Sequence, residues 1–250
     1  MTPTLPTVSV CCGTAIERPR FYPRQIITAD DLTLDQEYFR DKLQRHARLL
    51  HGWGVVCGAT LDYTTSAWMI KVNAGYILGP CGNEIVVCKD VCFDIRTRCV
   101  TGTTTGQDPC ADIWQPPAPT AAAAGPTTVF VAIAYSQLQS RPVRVAAAGC
   151  GCSENQCESS RWQDSYKICV LDTLPASHTG DPRRSPVMEG PPPACPPVPT
   201  DGWVVLGAAT VQTNGTVSNI MYSNCRRQVV SFAACWWRPS DPGPNPNGNA

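Results

Sequence analysis

Cysteine is the residue type in this chain best supplied for chemistry, with fifteen among 250 residues. The densest run, GCGCSENQC, holds Cys150, Cys152 and Cys157, and Cys169 follows in the next apolar stretch. Four thiolates brought together in this way hold zinc tetrahedrally. The C-x-C-x4-C spacing lacks the paired C-x2-C knuckles of a zinc ribbon. Cys150, Cys152, Cys157 and Cys169 therefore stand as a candidate structural zinc set beside two other readings, disulfides and free buried thiols, since a buried cysteine behaves as a small hydrophobe. Cys81, Cys88 and Cys92 form a second group open to the same alternatives. The odd count leaves at least one thiol outside any intramolecular disulfide set, and no export signal is visible, so a secreted disulfide framework is not the expected state.

Catalysis is poorly provided for. The three histidines are His46, His51 and His178. His46 and His51 are five residues apart, which is roughly 500° around an α-helix, so they are expected off one another's face and make a poor metal pair. A cysteine nucleophile needs a base and an orienting group, and nothing in the sequence selects one of the fifteen. G-x-S-x-G, G-x-x-x-x-G-K-[ST], H-E-x-x-H and C-x-x-C-H are all absent, so no catalytic residue is assigned and the chain is read as non-enzymatic.

The elements that position these residues begin with one strong helix. Thr28 or Asp30 offers an N-cap, because a short side-chain oxygen accepts hydrogen bonds from first-turn amides, and Asp31 complements the dipole. Leu32, Phe39, Leu43, Ala47 and Leu50 then fall on one face of a 3.6-residue helix. Gly52 and Gly54 end it near residue 50. That face must pack on something. With Trp53 it forms the expected interface set, an assembly surface rather than an active site.

Strand-like alternation follows at 55–61, 68–72, 76–78 and 85–87, and apolar β-branched runs recur at 127–135, 166–174 and 203–212. Asn214-Gly215 marks a two-residue hairpin. It also opens a glycosylation sequon, which a tight turn explains as structure. Proline and glycine concentrate at 101–126, 175–202 and 238–250. The expected fold class is α+β, mostly antiparallel β, with one N-terminal helix at about 30–50 and two small β units. The expected divisions are 1–100, a linker at 101–126, a β domain at 127–237 with the cysteine loop, and a disordered tail at 238–250. Trp236 and Trp237, beside Cys235, form an apolar spot that reads as core closure or a docking patch.

Lys plus Arg equals Asp plus Glu at 20 each, so charge gives no reason to expect nucleic acid or an anionic membrane as partner. No stretch approaches the roughly 20 apolar residues that span a bilayer, and the N-terminus has no signal-peptide pattern, so cytoplasmic synthesis is expected.

The blocks FYPRQIITADDLTLDQEYFRDKL, RLLHGWGVVCG and VNAGYILGPCGNEIVV, continued by VAIAYSQLQSRPV and WVVLGAATVQTNGTVSNI, resemble proteins related to phage tails and contractile injection systems. The resemblance covers about Phe21 to Arg227. It implies a structural subunit at a baseplate, fibre attachment or tip, with itself and other particle subunits as partners. The cysteine load and the Pro-rich insertions depart from that pattern. They keep open a cysteine-stabilised binding module, locked by zinc or disulfides, or a surface or filament protein that ends outside the cell.

Overall fold

A computed structural model describes residues 16–97, 126–144, 157–179 and 201–230. Helix α1 spans Ala29–His46. Thr28 is its cap: the Oγ1 accepts from the Asp31 amide at 3.2 Å, and the Asp31 carboxylate accepts from the Thr28 amide at 2.9 Å. This reciprocal box satisfies two donors of the helix start. The helix does not stop as an α-helix. It widens into a π turn over Ala47–His51 and closes at Gly52, whose φ of 76° lies in the region glycine favours.

Six short strands follow: β1 Gly54–Gly58, β2 Leu61–Tyr63, β3 Met69–Val72, β4 Gly75–Leu78, β5 Glu84–Val87 and β6 Val91–Asp94. They form two antiparallel sheets, ordered β1-β4-β5 and β2-β3-β6. The division has a local cause. Gly58 and Ala59 both take positive φ, 61° and 48°, so the chain swings from one sheet into the other between β1 and β2. The facing chain turns the same corner between β3 and β4, and the corner is held by Ala59 N–H to Ala74 O at 3.0 Å and Asn73 N–H to Thr60 O at 2.8 Å.

The third sheet contains β7 Thr127–Arg144, β8 Cys157–Leu171, β9 Val204–Val211 and β10 Val217–Met221, in the order β10-β9-β7-β8. The described residues thus carry three antiparallel sheets where two small β units were expected. β7 and β8 also run far beyond the apolar stretches that announced them, pairing from Phe130↔Leu171 out to Arg144↔Cys157. Their outer halves form a two-stranded ribbon held by the ladder rather than by burial, which is why periodicity alone did not show it. The Asn214-Gly215 turn is present. Gly215 has φ 83°, Asn214 Oδ1 accepts from the Thr216 amide at 3.0 Å, and the Trp68 ring lies where a Cβ on Gly215 would stand.

Residues on either side of the 101–126 segment share one hydrophobic cluster. Val55, Leu61, Ile70, Ile77 and Ile85 pack with Val129, Val131, Ile133, Val204 and Leu206. β9 is buried along nearly its whole length because its other face meets a second cluster of Ala132, Val205, Ala208 and Cys225. No helix among the described residues is long and apolar enough to cross a membrane.

Candidate functional site

Helix α1 has no buried residue along its 18 positions. Leu32, Phe39, Leu43 and Leu50 are 54%, 57%, 69% and 70% exposed. The helix meets the body at its C-terminal end, through polar positions. Gln44 hydrogen-bonds to the Asn83 side chain in the β4–β5 turn. Gly82, at φ 87°, lies so close under the Gln44 carbonyl that a Cβ there would overlap it. Arg48, in the π turn, is buried to 7% exposure. Successive residues are 100° apart, so Gln44 and Arg48 sit roughly 120° or more around from the Leu32–Leu43–Leu50 line. The side that anchors the helix is thus not its apolar side.

Of the expected interface set, Leu32, Phe39, Leu43 and Leu50 lie open and Ala47 is half-buried. Trp53 is 8% exposed and belongs to the core. The π turn and Gly52 bring the chain back onto the sheets before Trp53, so it cannot present its ring to a partner. The same π turn alters the histidine geometry. With i→i+5 bonding, residues five apart come into line, and the His46 and His51 rings meet edge to face at 5.5 Å. The expectation that they diverge assumed a continuous α-helix.

A groove of about 480 Å³ runs between the C-terminal half of α1 and the sheets. Leu43, Ala47, Val56, Leu78 and Val229 supply its apolar surface, and Arg40, His46, His51, Glu84 and Asp164 its charged or titratable groups. Two phenols hold the two carboxylates. Tyr135 on β7 donates to Asp164 Oδ1 on β8 at 2.5 Å. Burial, reinforced by that carboxylate, pushes the Tyr135 phenol up to about 12. Burial and then the neighbouring Glu84 carboxylate push Tyr76 up to about 12 as well. Both phenols are therefore protonated donors at neutral pH. The groove can accept N–H groups at its carboxylates and stack flat rings against cationic and aliphatic side chains.

A serine, a histidine and an aspartate also come together, at Ser177, His178 and Asp201. Ser177 Oγ lies 3.1 Å from His178 Nδ1 and 3.2 and 3.3 Å from the Asp201 carboxylate oxygens. The wiring is not that of a nucleophile. His178 Nε2 accepts from the Val205 amide at 3.0 Å, which puts the proton of the neutral ring on Nδ1, facing Ser177. Ser177 then gives its own proton to Asp201. The histidine presents its N–H rather than a lone pair to the serine, so the arrangement differs from a Ser–His–Asp relay, and the cluster ties the loop at 176–178 to β9. Beside it, the Trp53 ring contacts His178 edge to face at 4.9 Å, and the Arg227 guanidinium lies 4.0 Å from the Trp53 ring centroid. Burial drives the His178 pKa down to about 4; nearby Asp201 opposes this and Arg227 adds to it.

The cysteine sets do not assemble into a metal centre among the described residues. Cys150 and Cys152, and the side chain of Cys157, lie outside them. Cys169 is buried on β8 and is disulfide-bonded, so its sulfur is not a thiolate in this structure. Cys81, Cys88 and Cys92 are free thiols and form no ligand cluster among the described residues, so neither the metal nor the disulfide reading of that group gains support. They fall on different strands and turns, and proximity in sequence did not become proximity in space. Burial raises the Cys81 thiol, with Arg48 partly opposing it, the reverse of an activated nucleophile.

The Tyr135–Asp164 and Ser177–His178–Asp201 contacts leave no mark in the residue pattern, because both depend on strand register or on a loop returning to β9. Arg226 and Arg227 are adjacent in CRRQ, and an arginine pair at the end of a β unit is the signal that would have suggested a cross-chain clamp.

No protein-family model matches the chain, and no curated protein matches it. Among solved structures, a chain of the type VI secretion system TssK-TssF-TssG baseplate subcomplex, determined by cryo-electron microscopy, is similar at 11% sequence identity with a TM-score of 0.36. The match covers 82% of this chain and 60% of that one. It is a coarse likeness between a protein of antiparallel sheets and a baseplate component, and it carries no weight beyond that.

Proposed function

We propose that this chain is a non-catalytic assembly subunit of a phage-tail-like or contractile injection particle, and that it docks through the apolar stripe of α1 onto another copy of itself. The observation that carries this reading is a capped, 18-residue helix anchored by its polar side with its apolar side uncovered. The stripe exposes on the order of 500 Å² of apolar surface, at the upper end of what a lone soluble chain leaves open. Ile26 and Ile27 just before the helix, also exposed, extend it toward the roughly 800 Å² per partner of a stable interface.

Charge favours an antiparallel pair. Asp30, Asp31 and Asp35 lie at the start of the helix, and Arg40, Lys42 and Arg45 toward its end. A two-fold axis across the stripe sets the acidic end of each copy beside the basic end of the other. The place in a phage-tail-like particle rests on the sequence resemblance from Phe21 to Arg227.

Sedimentation velocity across a concentration series tests this reading, with Leu32→Asp and Phe39→Asp as variants that lie away from the groove. Each removes about 2 kcal/mol of burial per copy and adds a carboxylate to a closed interface. The expected outcome is a dimer that weakens at least about 100-fold in either variant, with unfolding stability within about 0.5 kcal/mol of the parent because both side chains are exposed in the single chain. A parent protein that stays monomeric at millimolar concentration, or variants that associate equally well, would sink the proposal.

A further inference from the structure

Strand β8 is an edge strand: in the order β10-β9-β7-β8 it pairs, among the described residues, with β7 alone. One hydrogen bond tells which of its backbone groups face outward. The Val170 amide donates to Thr97 O at 2.9 Å, on the side away from β7. Along an antiparallel strand the amide and carbonyl of every second residue turn to the same side, and the β7–β8 register runs from Leu171 to Cys157 without a shift. Ser160, Trp162 and Asp164 therefore turn their N–H and C=O groups to the open edge, while Arg161 and Gln163 bond to β7. All five residues are exposed, Trp162 to 65%. An edge of this kind is a template for another strand unless something blunts it. β7, whose pairing with β9 ends at Ile133, is interrupted farther out by Arg141 at φ 58° and by Pro142. β8 carries no proline and no positive φ.

We infer that the outer half of β8 pairs edge to edge with β8 of a second copy, antiparallel about a two-fold axis at Trp162, so that two four-stranded sheets join into one of eight. The strand read against itself selects this occupant and this register. A residue on the axis faces its own counterpart. An axis at Arg161 sets guanidinium against guanidinium, and one at Asp164 sets carboxylate against carboxylate, both destabilising at directly opposite positions. An axis at Trp162 sets indole on indole, Asp164 opposite Ser160 and Arg161 opposite Gln163, with no like charges facing. Each Trp162 amide then donates to the other copy's Trp162 carbonyl, and an aromatic pair directly opposite across strands adds to the ladder. An axis at Gln163 also avoids like pairs, but it sets each indole beside a carboxylate instead of a ring and closes less apolar surface. The contact is smaller than the roughly 800 Å² per partner of a stable interface, so it forms where copies are already gathered. It does not depend on the α1 pairing, and the two contacts together extend a pair into a larger array.

Residue-resolved solvent-exchange NMR on Leu32→Asp, which lacks the α1 contact, tests this at about 20 μM and about 2 mM. The amides of Ser160, Trp162 and Asp164 are expected to exchange at least about 3-fold more slowly at the higher concentration, and those of Arg161 and Gln163 to keep one rate. Equal rates at both concentrations for the three outward amides, or slowing shared equally by Arg161 and Gln163, would overturn the inference. Trp162→Lys in the same background sets two ammonium groups against each other and is expected to abolish the slowing. Slowing that persists there would overturn the Trp162 axis, because at the Gln163 axis the lysine would face Asp164. The replaced side chain is exposed, so Arg161 and Gln163 are expected to exchange in the lysine variant as before; if they do not, the concentration series on Leu32→Asp decides alone. Because the series is run without the α1 contact, the two proposals fail separately.

Discussion

Acidification through the range where His178 is neutral only when folded is expected to weaken the protein by a calculable amount. In the native state the ring lies between Trp53 and β9, 8% exposed, and its Nε2 accepts the Val205 amide proton. Protonation would turn that acceptor into a donor and bury a cation near Arg227. The folded pKa is accordingly held at about 4, against the ordinary 6.5 of the unfolded chain. Between these values the unfolded state binds the proton and the folded state does not, so stability is complete above about pH 6.5 and falls as pH drops toward 4. Each pH unit in that window is worth about 1.4 kcal/mol, and lowering the pH from 6.5 to 5 therefore costs about 2 kcal/mol from this residue alone. The full interval costs about 3 kcal/mol. Urea unfolding of the parent and of His178→Gln at pH 7.5, 6, 5 and 4.5 isolates the contribution, because the carboxylates titrate alike in both proteins. Glutamine is expected to destabilise the protein at pH 7.5, and the gap is expected to close by about 2 kcal/mol at pH 5. Parallel stability profiles for the two proteins across this range would refute the assignment of the neutral ring to the fold.

Gly82→Ala is expected to cost more than about 1 kcal/mol, because φ is 87° there and an added Cβ would overlap the Gln44 carbonyl; faster hydrogen exchange at 40–47 would report the loosened helix end, and an unchanged unfolding midpoint would count against this anchor. Arg226→Met removes a guanidinium that donates to Gly58 O at 2.5 Å, Ala59 O at 3.1 Å and Leu206 O at 3.4 Å. A loss of about 3 kcal/mol in chemical denaturation is expected because three carbonyls, those of Ala59 and Leu206 in partly buried settings, lose charge-assisted partners, and a loss below about 0.5 kcal/mol would show the clamp to be dispensable. With the Cys169 sulfur already in a disulfide, elemental analysis of protein purified without chelator is expected to find less than one zinc per chain, and chelation to leave the unfolding midpoint unchanged. Stoichiometric zinc would favour the four-cysteine reading.

Much of the local structure was legible because it is written in neighbouring residues. The Thr28 cap, the stop at Gly52, the apolar period of α1 and the Asn214-Gly215 turn each depend on atoms within a few positions, and each is present. The open stripe of Leu32, Phe39, Leu43 and Leu50 was readable as a face in search of a partner; that none of it is buried within the described residues was not. The outer ribbon of β7 and β8 escaped notice because a strand stabilised by its ladder needs no apolar alternation. Cysteine spacing left zinc, disulfide and free thiol open for Cys81, Cys88 and Cys92, since three thiols close in sequence bind a metal only if the turns between them converge; they are free thiols here.

The sequence by itself determined what is short-range: the helix and its cap, the strand segments, the glycine turns, and the scarcity of groups able to act as bases. Tertiary structure alone decided which of these meet. It divided the meander into two sheets at Gly58 and Ala59, turned His46 toward His51 through a π turn, took Trp53 into the core beneath Arg227, and set Tyr135 against Asp164 across two strands. The physical reason is that backbone preferences and caps act through torsions of adjacent residues, whereas burial and cross-strand hydrogen bonds depend on register and on the path of the chain through space.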